Sequence, residues 1–311
     1  MSDINIGNIK YNLLEMFLEL DDDELINIEQ WINSRAYKKD LEEKRSLMKS
    51  EDILRNIGDA IKKKVPFEAV MPSEKISPPT VGDLADCTDS NTIHVDEFLY
   101  DKDEFEDMTQ KKKIQLHYCV DCNSRNIKEL IYVSHSMSKS VMMFIFKVVL
   151  PKDLEGKTFI DIGSRLGSVL YGAYYLSNVS TIMGIEMNKE CCDVQEEIID
   201  QFSMNRNRIK VIHSDVLDKK DIITTADIVI FNAVDFFVDN EKHKEIWYFL
   251  KANLQKGCFV LLNRSIASIL LALNIIEEFK DWLTISKCNN IENELFFNVE
   301  DYTEIFLYTV N

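Results

Sequence analysis

Lys157-Thr158-Phe159-Ile160-Asp161-Ile162-Gly163-Ser164-Arg165-Leu166-Gly167 is the stretch from which the fold can be read. An apolar run of strand length breaks at glycines, and a helical pattern opens within a few residues. Further on comes Ile182-Met183-Gly184-Ile185-Glu186-Met187, a second apolar run that ends in an acid. Both runs are short and without alternation, as strands buried on both faces of a parallel sheet are. Such sheets place ligands beyond the carboxyl ends of their strands, where a carboxylate can accept from both hydroxyls of a ribose. The pair points to a ligand with an adenosyl part.

Strand and helix patterns then alternate. Strands are expected at Thr158–Ile162, Thr181–Glu186, Ile209–His213, Ile228–Asn232 and Cys258–Leu262. Helices are expected over Leu166–Leu176, Lys189 to about Met204, Lys242–Leu254 and Ile266–Phe279, with a short irregular piece after the third strand. Two last strands, Trp282–Cys288 and Glu304–Val310, follow with no helix between them. The fold class is therefore α/β, with a seven-stranded, mostly parallel sheet. A dehydrogenase would need two βαβαβ halves, and that pattern is absent.

Over residues 134–311 this order resembles the class I, Rossmann-like S-adenosylmethionine (SAM) methyltransferases, in which the last strand inserts antiparallel between the fifth and sixth. The resemblance implies roles for particular residues. Asp161, Gly163, Ser164 and Gly167 match the loop that approaches the methionine part of SAM. Arg165 stands where the common form of that loop has its central glycine. Three readings of it stay open: it points outward and the loop survives, it pairs with the cofactor carboxylate, or it fills the pocket. Glu186 matches the ribose-binding acid and Met187 the residue packed on adenine. Asp215 matches the acid beside the adenine amino group, with the Val216 amide facing the ring. His135 or Ser136 would line the pocket from the preceding helix, with N-capping by Ser134 or Ser136 as the plainer alternative.

Methyl transfer needs an aligned nucleophile more than acid–base help. The stretch after strand four, Phe231-Asn232-Ala233-Val234-Asp235-Phe236-Phe237, lacks the Asn/Asp-Pro-Pro-aromatic signature of enzymes acting on planar nitrogens. It is more similar to the nucleosome-directed seven-strand lysine methyltransferases, a partial resemblance. Asn232 and Asp235 are the candidate catalytic residues, one orienting an amine, the other accepting a proton or holding a cation. Equally, Asn232 caps strand four and Asp235 the next helix.

The remainder of the chain is read as a helical region over 1–65 and an irregular acidic connector over 66–133. Four of the five prolines lie between Pro66 and Pro79, and six of the nine glycines between Gly156 and Gly257. Asp21 and Glu24 form a candidate capping box. Phe98, Leu99, Tyr100 and Phe105 are expected to anchor the acidic stretch. Cys119 and Cys122 make half of a zinc knuckle, and reduced cysteines in a turn are the simpler reading because no second such pair exists. Seven cysteines, two of them adjacent, argue against a disulfide framework and for the cytosol or nucleus. No stretch has the length of a membrane span. A net charge of −17 argues against direct nucleic-acid binding. The expectation is a SAM-dependent methyltransferase acting on an unidentified protein or small amine. The alternative is an inactive methyltransferase-like domain serving protein interaction or SAM sensing.

Overall fold

The computed structural model describes residues 5–82, 84–120, 127–232, 235–286 and 294–311. Cys122, Ala233, Val234 and Cys288 lie outside the described residues. The chain divides into two units, Met1–Lys49 and Ser50–Asn311.

The first unit is helical. Helix α1 (Ile6–Phe17) and helix α2 (Asp22–Asn33) bury no residue. The Asp21 side chain accepts from the Glu24 amide while Glu24 accepts from the Asp21 amide, the capping box expected there. Helix α3 (Tyr37–Lys62) follows as one long element.

In the second unit the seven strands are β1 (Thr158–Ile162), β2 (Thr181–Glu186), β3 (Ile209–His213), β4 (Ile228–Phe231), β5 (Phe259–Leu262), β6 (Leu283–Ile285) and β7 (Phe306–Val310). Their order across the sheet is β6-β7-β5-β4-β1-β2-β3. β7 is antiparallel to both β5 and β6, and every other pairing is parallel. This is the class I methyltransferase order. The chain reverses direction at β1, so β1 has β2 on one side and β4 on the other, and the crevice above that switch point is where such sheets take ligands. Register brings the strand ends level: Ile162 pairs with Ile185 and with Phe231, and Glu186 with His213.

Every residue of β4 is buried, and β1 is buried from Phe159 on. One large core cluster joins Ile160, Val229, Val260 and Tyr308 of the sheet to Trp247, Leu250, Phe279 and Trp282. Helix α6 (Ser168–Leu176) and helix α7 (Lys189–Gln201) add Leu170, Tyr171, Ile198 and Ile199 to the buried set.

Two local expectations are corrected. The helix from Ile266 stops at Ala272; Asn274 takes a φ of 56°, and a 3₁₀ turn over Ile276–Phe279 follows. Asn tolerates the left-handed region after a helix end, and the break lets Phe279 and Trp282 join the core. Helix α5 (Lys139–Phe144) is capped by Ser138, not by Ser134 or Ser136. The Ser134 hydroxyl instead accepts from the Glu97 amide at 3.0 Å, and that of Ser136 donates to Asp96 at 2.5 Å.

The stretch between Pro66 and Val133 is more ordered than its composition suggests. It holds helix α4 (Lys102–Gln110), whose capping box pairs Asp101 with Glu104, and short strands at Thr92–His94 and Ile131–Val133 that pair in parallel. Phe98 and Leu99 are fully buried, while Tyr100 and Phe105 are partly so.

Candidate functional site

Two cavities lie beyond the carboxyl ends of β1, β2 and β4 and share His135, Gly163, Arg165 and Asn232 in their walls. The first, of about 430 Å³, adds Asp161, Ser164 and Asn263, together with Glu97 and residues 301–305. The second, of about 350 Å³, adds Glu186, Met187, Asp215, Val216, Phe237 and Lys242. Each volume is within the range of small-molecule sites, roughly 300–1,000 Å³.

The loop after β1 is set by backbone geometry. Gly163 and Gly167 have φ of 76° and 84°, values that favour glycine. The Gly163 amide donates to Ile185 O at 2.9 Å, and that of Gly167 to Ser164 O at 2.7 Å. A Cβ on Gly167 would come within 2.6 Å of the Tyr171 hydroxyl. Gly167 opens α6 and is absent from both cavity walls. The Ser164 hydroxyl donates to Gln195 at 3.0 Å, and Gln195 donates back to Arg165 O at 2.6 Å.

Glu186 is 6% exposed. Its two oxygens accept from the Arg165 amide at 2.8 Å and the Asn188 amide at 2.7 Å. Burial raises its pKa against the pull of those two amides. Asp161, also 6% exposed, has no hydrogen-bond or ion-pair partner among the described residues. Burial and the neighbouring Glu186 charge push its pKa up to about 8. Asp215 accepts from the Leu217 amide and pairs with Lys242 at 2.7 Å. Val216 is buried beside it and Met187 is exposed.

Arg165 does not point outward. The residue is 6% exposed and its φ is 48°. Its guanidinium donates to both carboxylate oxygens of Glu74, at 2.9 and 3.0 Å, and to Ala69 O. It stands 3.7 Å from Asp96 and 5.2 Å from the Phe237 ring. Nη1 has no hydrogen-bond partner among the described residues.

His135 is buried, and its Nε2 shares a 2.9 Å hydrogen bond with His94 Nδ1, while its own Nδ1 has no partner among the described residues. Burial, then Arg165 and His94, lower its pKa to about 2, so the ring is neutral. The two catalytic candidates part company. Asn232 lines both cavities, with its carbonyl accepting from the Asn263 amide at 2.8 Å. Asp235 lies outside both cavities, bound to Arg264 and 3.6 Å from His243. Nor does Asp235 cap the next helix (Asn240–Asn253), where Asp239 serves.

Sequence reading missed Ser73, Glu74 and Asp96. They come from far along the chain: Ser73 and Glu74 join the wall of the second cavity, Asp96 lies 3.7 Å from Arg165, and no local pattern announces such a meeting. Among the described residues no group of three or more His, Cys, Asp or Glu is placed to hold a metal. No described helix is long and apolar enough to cross a membrane.

The cavities suit a cofactor that is cationic at its amino-acid end. Asp161, in the wall of the first, is an acid without a partner among the described residues, and Glu186, in the wall of the second, retains lone pairs. SAM carries both an ammonium and a ribose diol, so the residues present fit it.

A family model described as "Histone methylation protein DOT1" matches residues 130–302. No curated protein matches the chain. Among solved structures it is similar to a precorrin-6y C5,15-methyltransferase from Geobacter metallireducens, at 15% identity over 55% of this chain and 86% of that one, TM-score 0.37. It is also similar to a putative O-methyltransferase from Klebsiella pneumoniae (13% identity, 58% and 83% covered, TM-score 0.37). A third is an RNA methyltransferase from Salinibacter ruber in complex with S-adenosyl-L-homocysteine (14%, 56% and 93%, TM-score 0.38). These overlaps are partial; the sheet order and the family match carry the assignment.

Proposed function

We propose that this chain, which belongs to the histone methylation protein DOT1 family, transfers a methyl group from SAM to an amine of a basic protein. The observation that carries this is the joined pair of cavities, with Glu186 and Asp215 around one and Asp161 in the other. Membership of a histone methylation family favours a histone as acceptor, and with it a nuclear place of action.

Bound SAM would supply an electrophilic methyl group on its sulfonium. The chain's own residues bind and orient. Glu186, held by two backbone amides, accepts from the ribose hydroxyls. Asp215 and the Val216 amide meet the adenine edge, with Met187 against its face. Asp161 takes the ammonium. Asn232, fixed through Asn263, borders both cavities and aligns the incoming amine. Glu97, Asp301 and Glu304, in the wall of the first cavity, favour approach of a cation. Asp235, tied to Arg264 and outside the cavities, has no part in this scheme. Within the proposal 134–311 carries the cofactor site, 66–133 adds part of its wall, and 1–65 is a helical region.

One observation favours the second reading, an inactive domain that binds partners: the Arg165 guanidinium borders both cavities where a glycine would leave space. Calorimetric titration with S-adenosylhomocysteine (SAH) tests the first reading. Wild type is expected to bind, and Glu186→Ala to bind at least about tenfold more weakly, the cost of losing a buried charged acceptor. Transfer of label from SAM to purified histones or nucleosomes then tests the acceptor. Absence of binding to wild type supports the inactive reading.

A further inference from the structure

We infer that Glu74 is a positioning residue for cofactor binding: together with Ser73 it buttresses the two backbone amides that aim the Glu186 carboxylate. This inference rests on the cofactor reading given above.

The two amides are those of Arg165, which donates to Glu186 Oε2, and Asn188, which donates to Oε1. Each belongs to a residue that segment 69–75 holds by its side chain. On the first, Glu74 grips the Arg165 guanidinium with both oxygens while Ala69 O accepts from Nη2. The side chains of Arg165 and Glu74 are 8% and 4% exposed, and Asp96 stands behind them as a second buried counter-charge. On the second, the Asn188 side-chain Nδ2 donates to the Ser73 hydroxyl at 2.9 Å. Ser73 is itself anchored to Glu190, its amide donating at 3.1 Å and its hydroxyl at 2.5 Å. The segment is also tied internally, since Glu74 Oε2 accepts from the Met71 amide at 2.7 Å.

An L-residue avoids a φ of 48°, whereas glycine adopts it freely. A chain with arginine there must hold the loop from outside, and the Glu74 contact does so. Ser73, Glu74 and Lys75 also form part of the second cavity's wall. The nucleoside side of the site is therefore complete only when segment 69–75 lies against the loop.

The test uses the full chain, SAH as probe and two readouts: affinity by calorimetry and amide hydrogen exchange without ligand. Glu74→Gln and Arg165→Met are each expected to weaken SAH binding by about tenfold or more, as loss of one partner of a buried charged pair does. The double variant should be no weaker than the worse single one, because both remove the same tether. Exchange should accelerate over 69–75 while β1 stays protected. Ser73→Ala, at an exposed position, is expected to weaken binding in the same direction and covers the case in which the buried variants do not fold. Arg165→Gly separates tether from backbone: glycine keeps the loop conformation but cannot reach Glu74, so affinity should still fall.

Wild-type affinity in Glu74→Gln or in Arg165→Gly overturns the inference. If wild type itself does not bind SAH, the cofactor reading fails instead. The tether is then judged by exchange alone, and unchanged protection of 69–75 in Glu74→Gln overturns it.

Discussion

Asp161 shows how much of a residue's chemistry a motif conveys. Its place at the end of β1 was legible, because an apolar strand that breaks at glycine leaves its last acid near the carboxyl end of the sheet. Its protonation state was not. Burial and Glu186 raise its pKa from 3.8 to about 8. A group whose folded pKa lies above its unfolded value contributes stability at low pH and loses it as pH rises toward the folded pKa. Asp161→Asn is therefore expected to gain more stability over wild type at about pH 8 than at about pH 5, measured by urea unfolding. A ligand ammonium would ionise the carboxyl, so SAH binding near neutral pH should release about one proton, seen as a buffer-dependent binding enthalpy. An enthalpy independent of buffer in wild type would count against Asp161 as the ammonium's partner. Arg165 is the opposite case: its position was legible and its three readings were not separable, since the residues that decide between them lie about ninety positions away.

Among the elements, the strands β1, β2 and β3 begin and end where the apolar pattern placed them. Helix ends were less legible, because capping chemistry and packing compete there. Helix α6 begins two residues later than the pattern suggests, after Gly167 in the left-handed region. Gly167→Ala would force a Cβ against the Tyr171 ring, which is fully buried. A loss of about 1–3 kcal/mol is expected from the positive φ and the overpacking together, read as a lower urea midpoint at unchanged slope. A loss below about 0.5 kcal/mol would mean that the turn readjusts freely. Helix α4 had a visible signal, Asp101 followed by Glu104, the same pairing that marks α2. It passed unread because the surrounding acidity suggested a connector.

At the scale of the molecule, the charge of −17 bears on encounter with an acceptor rather than on fold. A basic protein would be drawn to it, and salt screens attraction beyond about 8–10 Å at physiological strength. The kcat/KM for a histone acceptor is expected to fall by about tenfold between about 50 and 300 mM salt, with SAH affinity changing little. A flat profile in initial-rate assays would remove electrostatic steering from the account.

By itself the sequence determined the order of strands and helices, the glycine turns and the acids at the strand ends. These follow from local rules, namely the apolar period, backbone sterics and the few residues allowed at positive φ. Only the tertiary structure decided what surrounds those acids. It brought Glu74 and Asp96 to Arg165, turned Asp235 away to Arg264, and left Asp161 without a partner among the described residues. Charge pairing inside a fold depends on through-space distance in a poorly screened interior, and residues distant along the chain meet there without leaving a pattern in the sequence.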